Sequence, residues 1–185
     1  MLVVHKKLRG FTVGEVVLSS FVLTLGLTSA VSLISQSFRT SVDNQNVIIA
    51  SELAQEGVEL VRNFRDNNLV KKAATGSPDD VFTNFPSGTN NKCVISYNST
   101  SLDCGGPETQ LALSNGLYQA SGVAGLSRFY RLLKIEHVPP SPTARVKSFV
   151  TWQDPGGSLN GGGDTTWCTL SNKCVYTEIF LTEWQ

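Results

Sequence analysis

Residues 5–34 have the sequence HKKLRGFTVGEVVLSSFVLTLGLTSAVSLI, and this stretch decides how the rest of the chain is interpreted. A basic tip precedes an apolar run from Phe11 to Ile34 that is interrupted by one acid, Glu15. From Val16 to Phe38 there is neither a charged residue nor a proline. At about 1.5 Å per residue, a helix of this length spans roughly the 30 Å hydrocarbon core of a bilayer. The stretch therefore predicts a membrane-spanning helix with a cytoplasmic amino terminus and an exported remainder.

Glu15 is the residue that a simple membrane helix does not explain. A carboxylate inside hydrocarbon costs several kcal/mol unless a cation meets it. One interpretation places Glu15 at the membrane boundary, where its side chain reaches the headgroups. The other supplies a cation at the same depth, namely a new terminal amine created by cutting the chain between Gly10 and Phe11.

The residues around this cut carry a family resemblance. The stretch Lys-Leu-Arg-Gly10-Phe11-Thr-Val-Gly14-Glu15 resembles the class III leader of type IV prepilins and pseudopilins. The resemblance implies that a prepilin peptidase cuts after Gly10, that Phe11 becomes N-methylated, and that Glu15 pairs with the terminal amine of a neighbouring subunit in a filament. The chain departs from the family pattern at Gly14, where a large aliphatic residue is usual. The apolar run also lacks the helix-bending proline common in major pilins.

Other interpretations of the amino-terminal segment stay open. An ordinary secretory signal would be cut at a small residue such as Ala30, but the length of the run, the acid at Glu15 and the unbroken helix pattern beyond it argue against this. A pseudopilin of a type II secretion system would share the whole leader pattern. A membrane-tethered extracellular binding module would keep the helix uncut.

The chain divides into four predicted parts. Residues 1–10 form the leader, residues 11–35 the transmembrane and assembly half of a helix, residues 36–66 its amphipathic half, and residues 67–185 a globular sheet module. An apolar stripe along the second half recurs at helical spacing and is expected to hold the module. Its members are Phe38, Val42, Ile49, Leu53, Leu60 and Phe64, widened by Ile48, Ala54, Val58 and Val61.

The segments after the helix favour β-structure. Residues 127–138, 144–153 and 174–184 are rich in β-formers or alternate in polarity, so they predict strands. In the second of these we expect Val146, Val150 and Trp152 on one face and Arg145, Lys147 and Thr151 on the other. His137 is expected to be a surface or half-buried side chain. The predicted fold class is α+β, a long amino-terminal helix packed on an antiparallel sheet, and the resemblance implies a pilin-like arrangement.

Four cysteines lie in the exported part, where the environment is oxidising and disulfides form. Of the three pairings, we select Cys93–Cys104 and Cys168–Cys174, because each closes a loop that contains turn residues. A zinc site is the rival interpretation. The chain has no Cys-x-x-Cys spacing, and His137 is the one histidine in the exported part.

A glycine-rich loop, residues 154–164, raises the question of a metal. Asp154, Asn160 and Asp164 offer oxygen atoms of the kind that bind calcium, and some pseudopilins bind calcium near their carboxy end. The spacing does not match a standard calcium loop, so a flexible hairpin loop is the competing interpretation. No other cofactor is expected.

Charge and motifs argue against other functions. The chain has 15 basic and 15 acidic residues, and loss of the three basic residues of the leader would leave 12 against 15, which does not favour nucleic-acid binding. No nucleophile elbow or phosphate-binding glycine loop occurs, so an enzyme is not expected. The expected partners are the chain itself and other pilins, a prepilin peptidase, the inner-membrane assembly machinery and, before assembly, membrane lipid. The expected location is the cytoplasmic membrane, followed by an extracellular filament.

Overall fold

A computed structural model describes Gly10 and residues 12–76, 81–97, 99–106, 109–120, 125–156 and 165–183. One long helix, α1, spans Val13–Thr75. The strands are β1 (Gly88–Val94), β2 (Asp103–Cys104), β3 (Thr109–Ser114), β4 (Leu117–Ala120), β5 (Leu126–His137), β6 (Thr143–Thr151) and β7 (Cys174–Thr182), with a 3-10 turn at Leu170–Asn172. The chain separates into two compact units, Met1–Asn44 and Gln45–Gln185, and α1 begins in the first and ends in the second.

The helix is longer than the sequence predicted. It was expected to end near Asp66, but it continues to Thr75. The additional turns are fixed by tertiary contacts rather than by an apolar repeat. The Asn68 side chain donates to the carbonyls of Val81 at 3.1 Å and Thr83 at 2.8 Å, and Lys72 pairs with Glu183 at 3.1 Å.

The face of α1 that packs on the sheet also differs from the predicted stripe. Leu53, Ala54, Val58, Val61 and Phe64 are buried as expected. Ile49 and Leu60 are partly buried, whereas Phe38, Val42 and Ile48 are 69%, 50% and 63% exposed. The buried face includes residues that the apolar pattern passed over: Asn46, Gly57 and Arg65.

The sheet is antiparallel throughout and is organised around β5. One edge of β5 pairs with β1 near its carboxy end and with β3 near its amino end, and the other edge pairs with β6. The register places Leu133 opposite Ser148 and Ile135 opposite Val146. β2 and β4 lie outside β1 and β3, and β7 pairs with β6. The predicted α+β fold, a long helix packed on an antiparallel sheet, is therefore the fold observed.

The helix-facing side of the sheet carries most of the core. Leu133, Ile135 and Val146 are fully buried against Val61 and Phe64 in one cluster. A second cluster joins Ala50, Leu53 and Ala54 of the helix to the following residues of the sheet side: Leu111, Ala120, Phe129, Val150 and Trp152. Burial of large aliphatic and aromatic side chains contributes roughly 1.5–3 kcal/mol for each side chain. This packing fixes the helix from Gln45 onward on the sheet.

The opposite side of the sheet is only partly solvated. Arg145 and Lys147 are half-buried, but Phe149 and Thr151, on the same face, are fully buried. Phe149 belongs to a small cluster with Leu132, Cys168 and Cys174, against which Trp167 packs. The disulfide-closed segment before β7 therefore covers part of a face that alternation alone predicts to be polar.

Candidate assembly segment and related sites

The amino end of α1 is closed by a reciprocal pair of side-chain hydrogen bonds. The Thr12 N–H donates to Glu15 Oε2 at 3.2 Å, and the Glu15 N–H donates to Thr12 Oγ1 at 3.3 Å. This is a capping box, in which two backbone donors of the first turn gain partners. The helix forms through Gly14, so the departure from the family pattern at that position does not prevent helicity beside Glu15.

The predicted processing residues, Gly10 and Phe11, precede this cap in the sequence. Gly10 is exposed, and a Cβ built on it meets no atom within 4 Å. Phe11, the predicted methylated residue, lies outside the described residues. No basic side chain among the residues that the structure describes pairs with Glu15, whose described partners are those of the cap. Glu15 therefore has only the cap residue as a described partner at the start of an apolar helix.

The apolar half of α1 presents an exposed surface. Large side chains from Val13 to Ile34 are more than half exposed, among them Phe21 at 59% and Leu33 at 68%. Among the described residues, α1 is long and apolar enough to cross a membrane, and none of its most apolar window is buried. Exposed apolar area of this extent is unfavourable in water. The segment is therefore suited to lipid or to apolar neighbours.

The hydroxyl side chains in this segment bond to their own helix. Ser20 donates to the carbonyl of Val17 at 2.9 Å, and Thr24 donates to that of Phe21 at 2.8 Å. Thr28 and Ser29 both donate to the carbonyl of Leu25, at 3.0 and 2.9 Å. Such internal hydrogen bonds let Ser and Thr enter an apolar environment without an unpaired donor, while their small size lets helices approach closely.

Two disulfides join the four cysteines. Cys93 bonds to Cys104 across the β1–β2 pair, and Cys168 bonds to Cys174 across a separation of six residues. These are the pairings selected from the sequence, and the described residues contain no free cysteine. The thiolates needed for a zinc site are thus consumed, since a disulfide sulfur is not a thiolate ligand.

The structure describes one of the three proposed calcium ligands, Asp154. Asn160 and Asp164 lie outside the described residues. Asp154 is exposed, and its Oδ1 accepts a hydrogen bond from the Gly156 N–H at 2.9 Å. Burial raises the pKa of the Tyr130 hydroxyl, and the charge of Asp154 raises it further. Within the described part of the chain, no group of three or more His, Cys, Asp or Glu side chains could hold a metal ion.

His137 contradicts its predicted exposure. It is 3% exposed, its ring lies 4.7 Å from that of Phe82, and its Nε2 lies 3.2 Å from the carbonyl oxygen of Ser141. The alternating pattern predicted a surface or half-buried side chain for His137. The segment around Phe82 and Phe85 covers that position instead, because both rings are buried in the core.

A buried arginine connects the helix to the sheet, and the sequence analysis missed it. Arg131 is 1% exposed and donates to the carbonyls of Leu53 at 3.3 Å and Ile95 at 2.8 Å. It also contacts Glu56 at 3.3 Å. Burial lowers the pKa of the Arg131 guanidinium, and Glu56 acts in the opposite direction. A charged residue amid the β-formers of β5 was the available signal, but sequence cannot tell a buried arginine from one on a solvated face.

Gly57 marks the closest approach of the helix to the sheet. A Cβ at this position would lie 2.5 Å from Ser148 Oγ, 3.1 Å from Leu133 Cδ2 and 3.2 Å from Arg131 Cδ. A side chain larger than hydrogen would therefore require these neighbouring side chains or the helix itself to shift. A glycine in the middle of an otherwise apolar helical stripe was the signal in the sequence for this contact.

Comparisons with family models, with curated proteins and with solved structures find no match for this chain.

Proposed function

We propose that this chain is a type IV pilin-like structural subunit that a prepilin peptidase cleaves between Gly10 and Phe11 and N-methylates at Phe11. The mature chain then assembles into a surface filament through its amino-terminal helix. The observation that carries the proposal is the position of Glu15. It lies in the first turn of an exposed apolar helix, as the fifth residue after the predicted cut, without a basic partner among the described residues.

The physical basis of assembly is the exchange of one apolar environment for another. In the membrane, the exposed side chains of the first half of α1 contact lipid. In the filament, the same side chains pack against the helices of neighbouring subunits. Glu15 then meets the amine of Phe11 on an adjacent subunit, which neutralises two charges that would otherwise be isolated in an apolar medium and fixes the axial register. The sheet module lies on the outside.

Two substitutions separate the charge of Glu15 from its capping role. Glu15→Gln keeps a side-chain oxygen that can accept the Thr12 N–H, because glutamine also closes a capping box, but it removes the charge. Glu15→Ala removes both. We expect both variants to be cleaved and methylated, and both to be missing from sheared filaments. Normal incorporation of Glu15→Gln would contradict the proposed ion pair and leave capping as the role of this residue.

A pseudopilin of a type II secretion system is the second candidate. It is favoured by the absence of proline between Phe11 and Phe38, because a proline in this part of the helix is common in major pilins. Both candidates share the cleavage, the methylation and the Glu15 pairing. They are separated by electron microscopy of cells at native expression, where a pilin gives surface filaments and a pseudopilin does not.

A further inference from the structure

A groove lies between the carboxy-terminal turns of α1 and the segment that follows β1. Its volume is about 460 Å³. Asn63, Asn67 and Lys71 of the helix form one wall, and Tyr97 lies on the other side with the hydroxyl residues Ser99 and Thr100. Leu60, Phe64 and Ile95 supply apolar lining, and the last two are buried core residues. The groove thus has polar walls and an apolar base that belongs to the core.

The two asparagines present a complementary donor and acceptor. Asn67 Nδ2 donates to Asn63 Oδ1 at 2.7 Å, one helical turn apart. This bond leaves the amino group of Asn63 and the carbonyl oxygen of Asn67 for a ligand. If both side-chain amides are turned by 180°, so that oxygen and nitrogen change places, one amino group and one carbonyl oxygen are again left for a ligand. A neighbouring donor and acceptor suit a ligand with adjacent hydroxyl groups, since each hydroxyl both donates and accepts.

The remaining lining residues restrict the ligand further. Tyr97 is 47% exposed, so its ring can contact a ligand. The C–H face of a sugar ring packs on an aromatic ring of this kind, because the contact buries apolar area while the equatorial hydroxyls stay at the edge. Lys71 is the one charged side chain among the described residues that line the groove, so a cationic ligand is disfavoured.

We propose that this groove binds a saccharide. The side-chain amides of Asn63 and Asn67 form hydrogen bonds with neighbouring ring hydroxyls, one as donor and the other as acceptor, and the ring packs on Tyr97. The site belongs to the sheet-bearing part of the chain and does not depend on the assembly role of Glu15. Three features carry the inference together: the donor–acceptor pair of amides, the exposed aromatic ring and the lack of a carboxylate among the described lining residues.

Saturation-transfer NMR tests this proposal on the full chain. The protein is held in dodecylphosphocholine micelles, because detergents with sugar headgroups would compete for the groove. The probes are the methyl glycosides of glucose, galactose, mannose and N-acetylglucosamine, together with glucuronate. We expect at least one probe to receive saturation and to bind with a millimolar dissociation constant. If none of the five receives saturation, the proposal is wrong.

Matched variants locate the binding. The double variant Asn63→Ala, Asn67→Ala should weaken binding about tenfold or more, because two hydrogen bonds are lost. Tyr97→Ala should weaken it as well. All three residues are exposed, and unchanged thermal unfolding would show that the variants fold. Gln55→Ala, which removes an exposed amide from the same helix away from the groove, should bind like the unsubstituted chain. Unchanged binding by the asparagine double variant would overturn the assignment.

Discussion

Thr12 and Glu15 hydrogen-bond each other at the amino end of α1, with the Thr12 N–H donating to Glu15 Oε2 at 3.2 Å and the Glu15 N–H donating to Thr12 Oγ1 at 3.3 Å. The capping role of Glu15 is compatible with its proposed role in pairing. One carboxylate oxygen closes the helix, and because an ionised carboxylate accepts several hydrogen bonds, it can also meet a cation. Capping in this way sets the position of the acid relative to the predicted cut.

Loss of the threonine hydroxyl should loosen the first turn of α1. Thr12→Ala removes the side-chain acceptor of the Glu15 N–H and leaves only the Thr12 carbonyl at 3.1 Å. Loss of such a cap costs about 1 kcal/mol. In micelles, the Glu15 amide should exchange its hydrogen about fivefold faster than in the unsubstituted chain. Thr12→Ser keeps the hydroxyl and should exchange at the original rate. Equal exchange in all three chains would show that the cap does not protect this turn.

A methyl group at Gly57 should separate the helix from the sheet. Gly57→Ala would place a Cβ 2.5 Å from Ser148 Oγ, and overpacking of this kind costs about 1–3 kcal/mol of unfolding free energy. The gain of about 1 kcal/mol in helix propensity offsets part of this cost, so we expect a net loss of up to about 2 kcal/mol. The measurement is denaturant unfolding of the full chain.

Ser148→Ala provides the matched test of that contact. Ser148 Oγ is buried and has no hydrogen-bond partner among the described residues, so its removal alone should be neutral or stabilising. Combined with Gly57→Ala, it should restore most of the lost unfolding free energy. If the double variant is as unstable as Gly57→Ala alone, the close contact at Ser148 is not the cause.

Truncation of Arg131 should lower the free energy of unfolding more than neutralisation of its ion-pair partner, Glu56. Arg131→Ala leaves a cavity and an unpaired Ile95 carbonyl, and we expect a loss of about 3 kcal/mol or more. The Glu56 side chain is 37% exposed, so Glu56→Gln should cost about 1 kcal/mol or less. Denaturant unfolding measures both. The reverse order would mean that the ion pair, rather than the carbonyl contacts and packing, accounts for the contribution of Arg131.

Removal of either disulfide should lower the free energy of unfolding, and the loss should be larger for the bridge that closes the longer loop. In the chain-entropy model, the bridge with a sequence separation of 6 contributes about 2 kcal/mol and the bridge with a separation of 11 contributes about 3 kcal/mol. We therefore expect the double variant Cys168→Ala, Cys174→Ala to lose less unfolding free energy than the double variant Cys93→Ala, Cys104→Ala. Denaturant unfolding of both, beside peptide mapping without reduction, is the measurement. Mixed pairings in the peptide map would contradict the structure.

The sequence was sufficient for the features that depend on local pattern. The apolar run up to Ile34, the helix that follows it and the strands around Val146 and Cys174 all reflect periodicity, which a single sequence displays directly. The α+β class follows from their order. The cysteine pairing also followed from chain-local reasoning, because each bridge closes a short loop.

Features that depend on contacts between residues distant in sequence could not be predicted from local pattern. Helix α1 passes Asp66 because Asn68 and Lys72 find partners elsewhere in the module. His137 is buried because the segment containing Phe82 covers it. Arg131 can be buried because its N–H groups donate to backbone carbonyls of two other segments. Strand β3, which the sequence analysis did not identify, pairs with β5 across a register shift.

We propose that proteolysis after Gly10 creates the amine that Glu15 meets. Mass spectrometry of the amino-terminal peptide, taken from the protein purified from its native membrane or filament, tests this most directly. We predict a peptide that begins with N-methylated Phe11. A peptide that still carries residues 1–10, or one that begins near Val31, would contradict the account, because no terminal amine would then exist at the depth of Glu15.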